Sequence, residues 1–342
     1  MQTMIENQFQ RCVLASPDHI LVATDLTDTE YLVPHVIAQA KVCGAQVTFI
    51  HVIQPGRVAP LEVEAFSYGA LSYVDPAKVI RDARLMLLGI EHQVEAHGIA
   101  CETRVRHGNT KEVIRRELSR SGATRLIVGT HGRGKLGQLV LGSVAQQLLT
   151  TIDIPVFVVG PHARGSVEHV TPRNILHPVS LIGDYRNSVQ LALNVAQTCR
   201  AELTLLHIVD PDATTDCNPT RIFEWAGNTL KSLAPAATDL VPPVHAMVTC
   251  GELAEEILKA ADRIQADWIM LGANDGSHRW PFSQSLAYKV LTVANCPVLT
   301  LRHEPSHAEI KALQTLHSML PLALHESDSR VNQIHHDIAP VS

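Results

Sequence analysis

The chain states one long pattern twice, and this constrains its fold more than any other feature. HILV at 19–22 pairs with NILH at 174–177, and VTFIHVI at 47–53 pairs with LTLLHIV at 203–209. GNTKEVI at 108–114 then matches GELAEEI at 251–257, after which the register runs without a gap from ATRLIVG at 123–129 to ADWIMLG at 266–272. IPVFVV at 154–159 against CPVLTL at 296–301 closes the series. A repeat of domain length indicates duplication of a whole unit, not a solenoid of short turns. The 342 residues, 46% hydrophobic, suffice for two cores of ordinary size.

Within each unit, short apolar runs alternate with longer segments of helical period. The first unit predicts strands at 19–24, 46–53, 101–106, 125–130 and 155–159. Runs such as LIVG and VFVV lack polar alternation, as central strands of a parallel sheet covered on both faces do. A helix is predicted over 76–97, with Pro76 early in it and Gly98 as its stop. The expected organisation is an N-terminal extension at 1–18, domains at 19–161 and 173–303, a polar linker at 162–172 and a tail at 304–342. The tail contains an amphipathic stretch at 308–320. Its five histidines read more simply as a solvated tail than as a metal site.

Bulk properties exclude several classes. No apolar run nears the roughly 20 residues of a membrane-spanning helix, and residues 1–12 lack a signal-type pattern, so a cytoplasmic location without membrane insertion is expected. A net charge of −6 offers nucleic acid no general attraction. Seven cysteines, none spaced as CxxC, read as reduced and mostly buried thiols.

Chemistry concentrates between Gly129 and Val144, in GTHGRGKLGQLVLGSV. Glycines let backbone N–H groups approach phosphate oxygens, and a helix opening at Gly142 and Ser143 adds unpaired donors with a favourable dipole. Arg133 and Lys135 bring local positive charge. The same residues also suit a surface turn with Ser143 as a helix cap. A Walker loop fails because Leu136 lacks the hydroxyl that would reach magnesium, and the dinucleotide fingerprint fails because the loop follows the fourth strand.

The pattern Gly-x2-Gly-x9-Gly-Ser/Thr is met by Gly129, Gly132, Gly142 and Ser143. With a first strand ending Ala23-Thr24-Asp25 and a second ending His51-Val52-Ile53, the chain resembles the universal stress protein family over nearly all of 19–303. The resemblance implies two tandem Rossmann-like α/β domains, each a five-stranded parallel sheet with helices on both faces. It implies ATP, with or without Mg2+, across the ends of the first and fourth strands, where open α/β sheets bind ligands. Matching positions give the candidate site: Ala23, Thr24 and Asp25 at the nucleoside, the Val52 backbone at the adenine edge, and Val128, Gly129, Gly132 and Arg133 along ribose and phosphates. Gly142, Ser143 and Val144 would hold the phosphate tail. Asp25, followed by Thr27, also suits a helix cap. His51, which recurs as His207, and Cys43, which recurs as Cys199, read as packing residues.

In the second unit Asp275 and Gln284 replace two loop glycines, Ser180 stands where Asp25 does, and Pro178 is unusual for a central strand. ATP there is not expected, since a carboxylate repels a triphosphate and a side chain blocks backbone approach. The resemblance further implies an intramolecular pseudo-dimer through the last strands, a homodimer or an unknown protein partner as further assembly, and a stress-sensing or regulatory role. Slow ATP hydrolysis, self-phosphorylation and a nucleotide-independent scaffold are the alternatives. No residue stands out as a catalytic base.

Overall fold

A computed structural model of the chain describes residues 19–54, 75–130, 142–152, 154–164, 171–181, 185–211, 218–234, 242–272 and 286–301. The extension at 1–18, the tail at 304–342 and the helix expected at 308–320 lie outside the described residues. The first repeat runs β1 (His19–Ala23), α1 (Thr29–Cys43), β2 (Gln46–Ile53), α2 (Pro76–Glu95), β3 (Cys101–His107), α3 (Thr110–Ser121), β4 (Arg125–Gly129), α4 (Ser143–Thr151) and β5 (Val156–Val159). The second repeats it with β6 (Asn174–Pro178), α5 (Arg186–Cys199), β7 (Glu202–Val209), α6 (Pro219–Leu233), β8 (Val244–Cys250), α7 (Leu253–Arg263), β9 (Trp268–Gly272), α8 (Leu286–Val293) and β10 (Val298–Leu301). The five strands and the long helix expected in the first unit each form to within two residues.

Local chemistry explains the shared boundaries. Asp75 caps α2 by accepting from the Ala77 N–H, and Asn218 caps α6 by accepting from the Thr220 N–H, each followed by a proline that needs no partner for its nitrogen. Gly108 and Gly251 take φ of +130° and +150° just before α3 and α7, a turn that only glycine makes without strain. Asn109 and Glu252 then cap those helices.

All ten strands form one sheet in the order β3-β2-β1-β4-β5-β10-β9-β6-β7-β8. Within each repeat the neighbours are parallel; β5 and β10 alone pair antiparallel, at Val298↔Val158, Leu299↔Phe157 and Thr300↔Val156. Two Rossmann-like halves are thus joined through their last strands. Alternate strand residues feed opposite faces: Ile20 and Val22 pack with α1 and α2 on one side, and Leu21 packs with α3 and α4 on the other. Each apolar layer runs through both repeats.

At the seam Phe157 meets Trp268 edge to face, with ring centres 5.1 Å apart, while the Arg125 guanidinium lies 5.0 Å from the Phe157 ring centre. Each contact is worth on the order of 1 kcal/mol beyond burial. The start of the expected linker is docked: the Arg164 N–H donates to the Asn295 carbonyl, and its guanidinium reaches Gln265 (2.7 Å) and Asp262 (3.6 Å). The cysteines are less uniformly buried than expected. Among the described residues Cys296 is buried, Cys101 and Cys199 are half-buried, and Cys250 is exposed because it ends an edge strand.

Candidate functional site

A cavity of about 380 Å³ opens at the carboxyl ends of β1, β2 and β4. Its position follows from the winding, since β1 and β4 are neighbours whose following helices lie on opposite faces of the sheet. The apolar part comes from Ile50, Val52, Val79 and Ile114, and the polar part from Thr24, Asp25, Asp28 and His51. The turn after β1 shapes the polar side. Thr24 Oγ1 accepts from the Leu26 N–H (2.9 Å), and Asp25 Oδ1 accepts from both the N–H (2.9 Å) and the hydroxyl (2.7 Å) of Thr27. These nested turns hold Leu26 at φ +73°, a left-handed conformation that costs a branched residue about 1–2 kcal/mol. They turn Asp28 inward.

Asp28 is 3% exposed and accepts a very short hydrogen bond from the Thr24 hydroxyl. Burial, reinforced by the charge of Asp25, pushes its carboxyl up to about 7. Sequence reasoning missed this residue. The available signal was an oxygen-bearing pair four residues apart, Thr24 and Asp28, but nothing in the sequence says which acid of the turn faces inward. Gly129 owes its identity to the same contact: a β-carbon there would lie 2.0 Å from Asp28 Oδ2. Neither Gly129 nor Gly142 has a positive φ. Their backbone conformation therefore suits any residue, and what glycine provides at Gly129 is space.

The structure brings Ala23, Thr24, Asp25, Val52, Val128, Gly129 and Val144 to the cavity wall. Gly142 is buried at the start of α4, whose N-terminus has no side-chain cap, and Ser143 is the first residue of that helix. Gly132 and Arg133 lie outside the described residues, as do Lys135, Asp275 and Gln284. The Asp25 side chain does bond within its own turn, as the helix-cap reading expected, but Asp28 and not Asp25 is the residue that precedes α1. Val52 presents its peptide edge. The Thr24 N–H bonds the Ile50 carbonyl and the Gly108 N–H bonds the Ile53 carbonyl, so by strand alternation Val52 faces the side where β1 has already ended.

His51 and His207 behave identically. Nδ1 of His51 donates to the Thr24 carbonyl (3.0 Å), and Nδ1 of His207 donates to the Val179 carbonyl (2.9 Å). The carbonyl acceptor fixes the proton on Nδ1, and both rings act as clamps between neighbouring strand ends. Burial holds the His51 pKa below its ordinary value.

The second repeat builds the same corner from different chemistry. Pro178, where β1 has Ala23, has no N–H for the β6–β9 ladder, whose register stops after Leu176↔Ile269 although β1 and β4 pair four residues. His177 Nδ1 donates instead to the Met270 carbonyl (2.9 Å), the group that Pro178 leaves unserved. The ring is fully buried, and desolvation lowers its pKa to about 4.

Two halves of Rossmann-like winding, with a cleft at the switch point of the first, define a tandem doubly wound α/β protein. Comparison with known proteins narrows the class. The family model described as the universal stress protein family matches residues 17–160 and again 172–302, and the chain belongs to that family. A universal stress protein of Mycolicibacterium smegmatis is 38% identical over 86 residues, covering 24% of this chain and 66% of that one. The stress response protein NhaX of Bacillus subtilis is 28% identical over 169 residues, 42% of this chain and 97% of its own. The crystal structure of a universal stress protein from Archaeoglobus fulgidus superposes with a TM-score of 0.59 at 19% identity, over 84% of this chain and 99% of that one, a likeness of fold. No helix among the described residues is long and apolar enough to cross a membrane, and no group of three or more metal-ligating side chains occurs among them.

Proposed function

We propose that the first repeat, taken as a domain spanning 19–161, binds one adenine nucleotide, ATP, and that occupancy serves regulation in the cytoplasm rather than rapid turnover. The observation that carries this reading is the cavity itself, which gathers seven of the eleven candidate residues around a mainly apolar cleft with a polar side. The residues fit the ligand. Ile50, Val52, Val79 and Ile114 offer an apolar slot for a flat base beside the open peptide edge of Val52. The uncapped N-terminus of α4 offers N–H donors and a favourable dipole to phosphate. Asp28, neutral for part of the time near pH 7, adds less repulsion to a polyphosphate than a full second carboxylate would. The domain spanning 173–303 serves as the structural or responsive half.

Isothermal calorimetry on the full chain with ATP, with and without magnesium, is expected to give one site per chain. Chromatography of the nucleotide after hours of incubation should recover ATP. Two equivalent sites, or stoichiometric conversion to ADP within minutes, would overturn the proposal.

A further inference from the structure

A second cavity, of about 300 Å³, lies at the seam between the repeats, away from the cleft described above. Its walls are Trp268, Pro172 and Pro297 from the second half of the chain and α1 from the first, and its mouth carries Arg164 and Asp267. On α1 two polar side chains turn inward: His35, 8% exposed, and Gln39, 4% exposed. In the second repeat the equivalent helical positions carry Leu191 and Val195, counting back from the matching helix ends at Cys43 and Cys199. Polar groups at buried helix positions cost stability unless they find partners, so their presence on one side only needs a reason.

Gln39 has half of one. Arg125 Nη1 donates to Gln39 Oε1 (3.2 Å), which fixes the amide orientation, because a flipped amide would point its NH2 at a guanidinium. Gln39 Nε2 is then left buried without a hydrogen-bond partner in the structure, at a residue lining the cavity. An unmet buried donor costs on the order of 1–3 kcal/mol, and an oxygen acceptor entering the cavity would recover it.

Charge decides which acceptor. Arg164 is the cation at the mouth, already engaged by Asp262 and Gln265, and Asp267 adds a second carboxylate whose Oδ2 accepts from the Arg173 and Asn174 N–H groups (2.7 and 2.9 Å). His35 supplies no compensating charge, since burial keeps its ring neutral; its Nε2 makes one long contact of 3.5 Å to the Ala163 carbonyl. Arg125 against Gln39 and Arg164 at the mouth balance the two carboxylates, so an entering anion finds no net charge to offset its desolvation, and flanking tryptophan and proline rings favour a flat body.

We propose that this seam cavity is a binding site for a small, neutral, planar molecule carrying a carboxamide-type carbonyl, which accepts from Gln39 Nε2 and lies against Trp268. The site spans both repeats, so its occupancy ties the first domain to the second independently of any nucleotide.

The test uses the full chain, benzamide as the neutral probe and benzoate as its anionic counterpart. In a titration followed by the indole N–H signals of the three tryptophans, benzamide is expected to shift the Trp268 signal saturably, and benzoate at least tenfold more weakly. Gln39→Glu keeps the acceptor for Arg125 but replaces the free NH2 with oxygen, and should weaken benzamide at least tenfold with the indole spectrum of the free chain retained. Adding ATP should leave the benzamide titration unchanged. Binding that survives Gln39→Glu, that ATP displaces, that favours benzoate, or that never saturates would overturn the proposal, the last leaving the cavity to water.

Discussion

The corner after β1 and the corner after β6 hold the same backbone with the same bonds but carry different side chains. In both, the strand-end N–H reaches across to the next strand, Thr24 to Ile50 and Val179 to Leu206, and a histidine clamps the carbonyl of that same residue. What differs is the filling. The first corner places Thr24, Asp25 and Asp28 around open space, while the second carries Pro178, Val179 and Ser180 and a histidine whose ring repairs the ladder that the proline breaks. Scaffold and site are therefore separable. The two repeats share the hydrogen bonds that position a strand end, while the side chains around them differ.

The contrast is broken most directly at the loop glycines. Gly142 has an ordinary φ, so a larger residue there is tolerated by the backbone. Gly142→Val is expected to weaken ATP at least about a thousandfold, roughly 4 kcal/mol, in calorimetry. Gln284→Ala in the second repeat should leave affinity within about twofold. Equal losses from the two variants would mean that the repeats share the nucleotide.

The next largest effect is the pH dependence conferred by Asp28. The folded chain holds this proton up to about pH 7, whereas an ordinary aspartate releases it near 3.8, so stability falls as pH rises between those values. Asp28→Asn removes the loss and should stabilise the chain by about 4 kcal/mol at pH 8 and negligibly at pH 3.5, read from urea unfolding. The second repeat slopes the opposite way. His177 is held neutral down to about pH 4 but protonates near 6.5 when unfolded, so its contribution is complete above 6.5 and is lost as the pH falls toward 4. Replacing it with valine, the residue at the matching position in β1, should flatten about 2–3 kcal/mol of that acid limb, while costing about 1 kcal/mol at pH 7 for the bereft Met270 carbonyl. Coincident pH profiles for the wild type and either variant would remove that half of the comparison.

Smallest is the effect at the strand ends. Gly129→Ala drives a methyl group into the Asp28 carboxylate and should cost about 2 kcal/mol, whereas Gly272→Ala meets Ser188 Cβ at 3.3 Å and should cost under about 1 kcal/mol. In the Asp28→Ala background the Gly129 penalty should fall, since only the β-carbon contact at 2.9 Å remains, a coupling that a double-mutant cycle measures. Additive effects would place the strain elsewhere.

The amino-acid sequence by itself determined the duplication, the strand series and the helix limits, because apolar period, prolines at helix starts and glycines at forced turns act within a few residues of where they stand. It also marked the strand ends at Asp25 and Gly129 as the candidate site. Only the tertiary structure decided what depends on distant residues meeting: that β5 and β10 fuse two sheets into one, that Asp28 turns inward beneath Gly129, that His177 serves the carbonyl a proline abandons, and that Gln39 faces a cavity closed by the other repeat. A side chain's ionisation and partners are set by what surrounds it in three dimensions, and neighbours a hundred residues apart leave no local pattern to read.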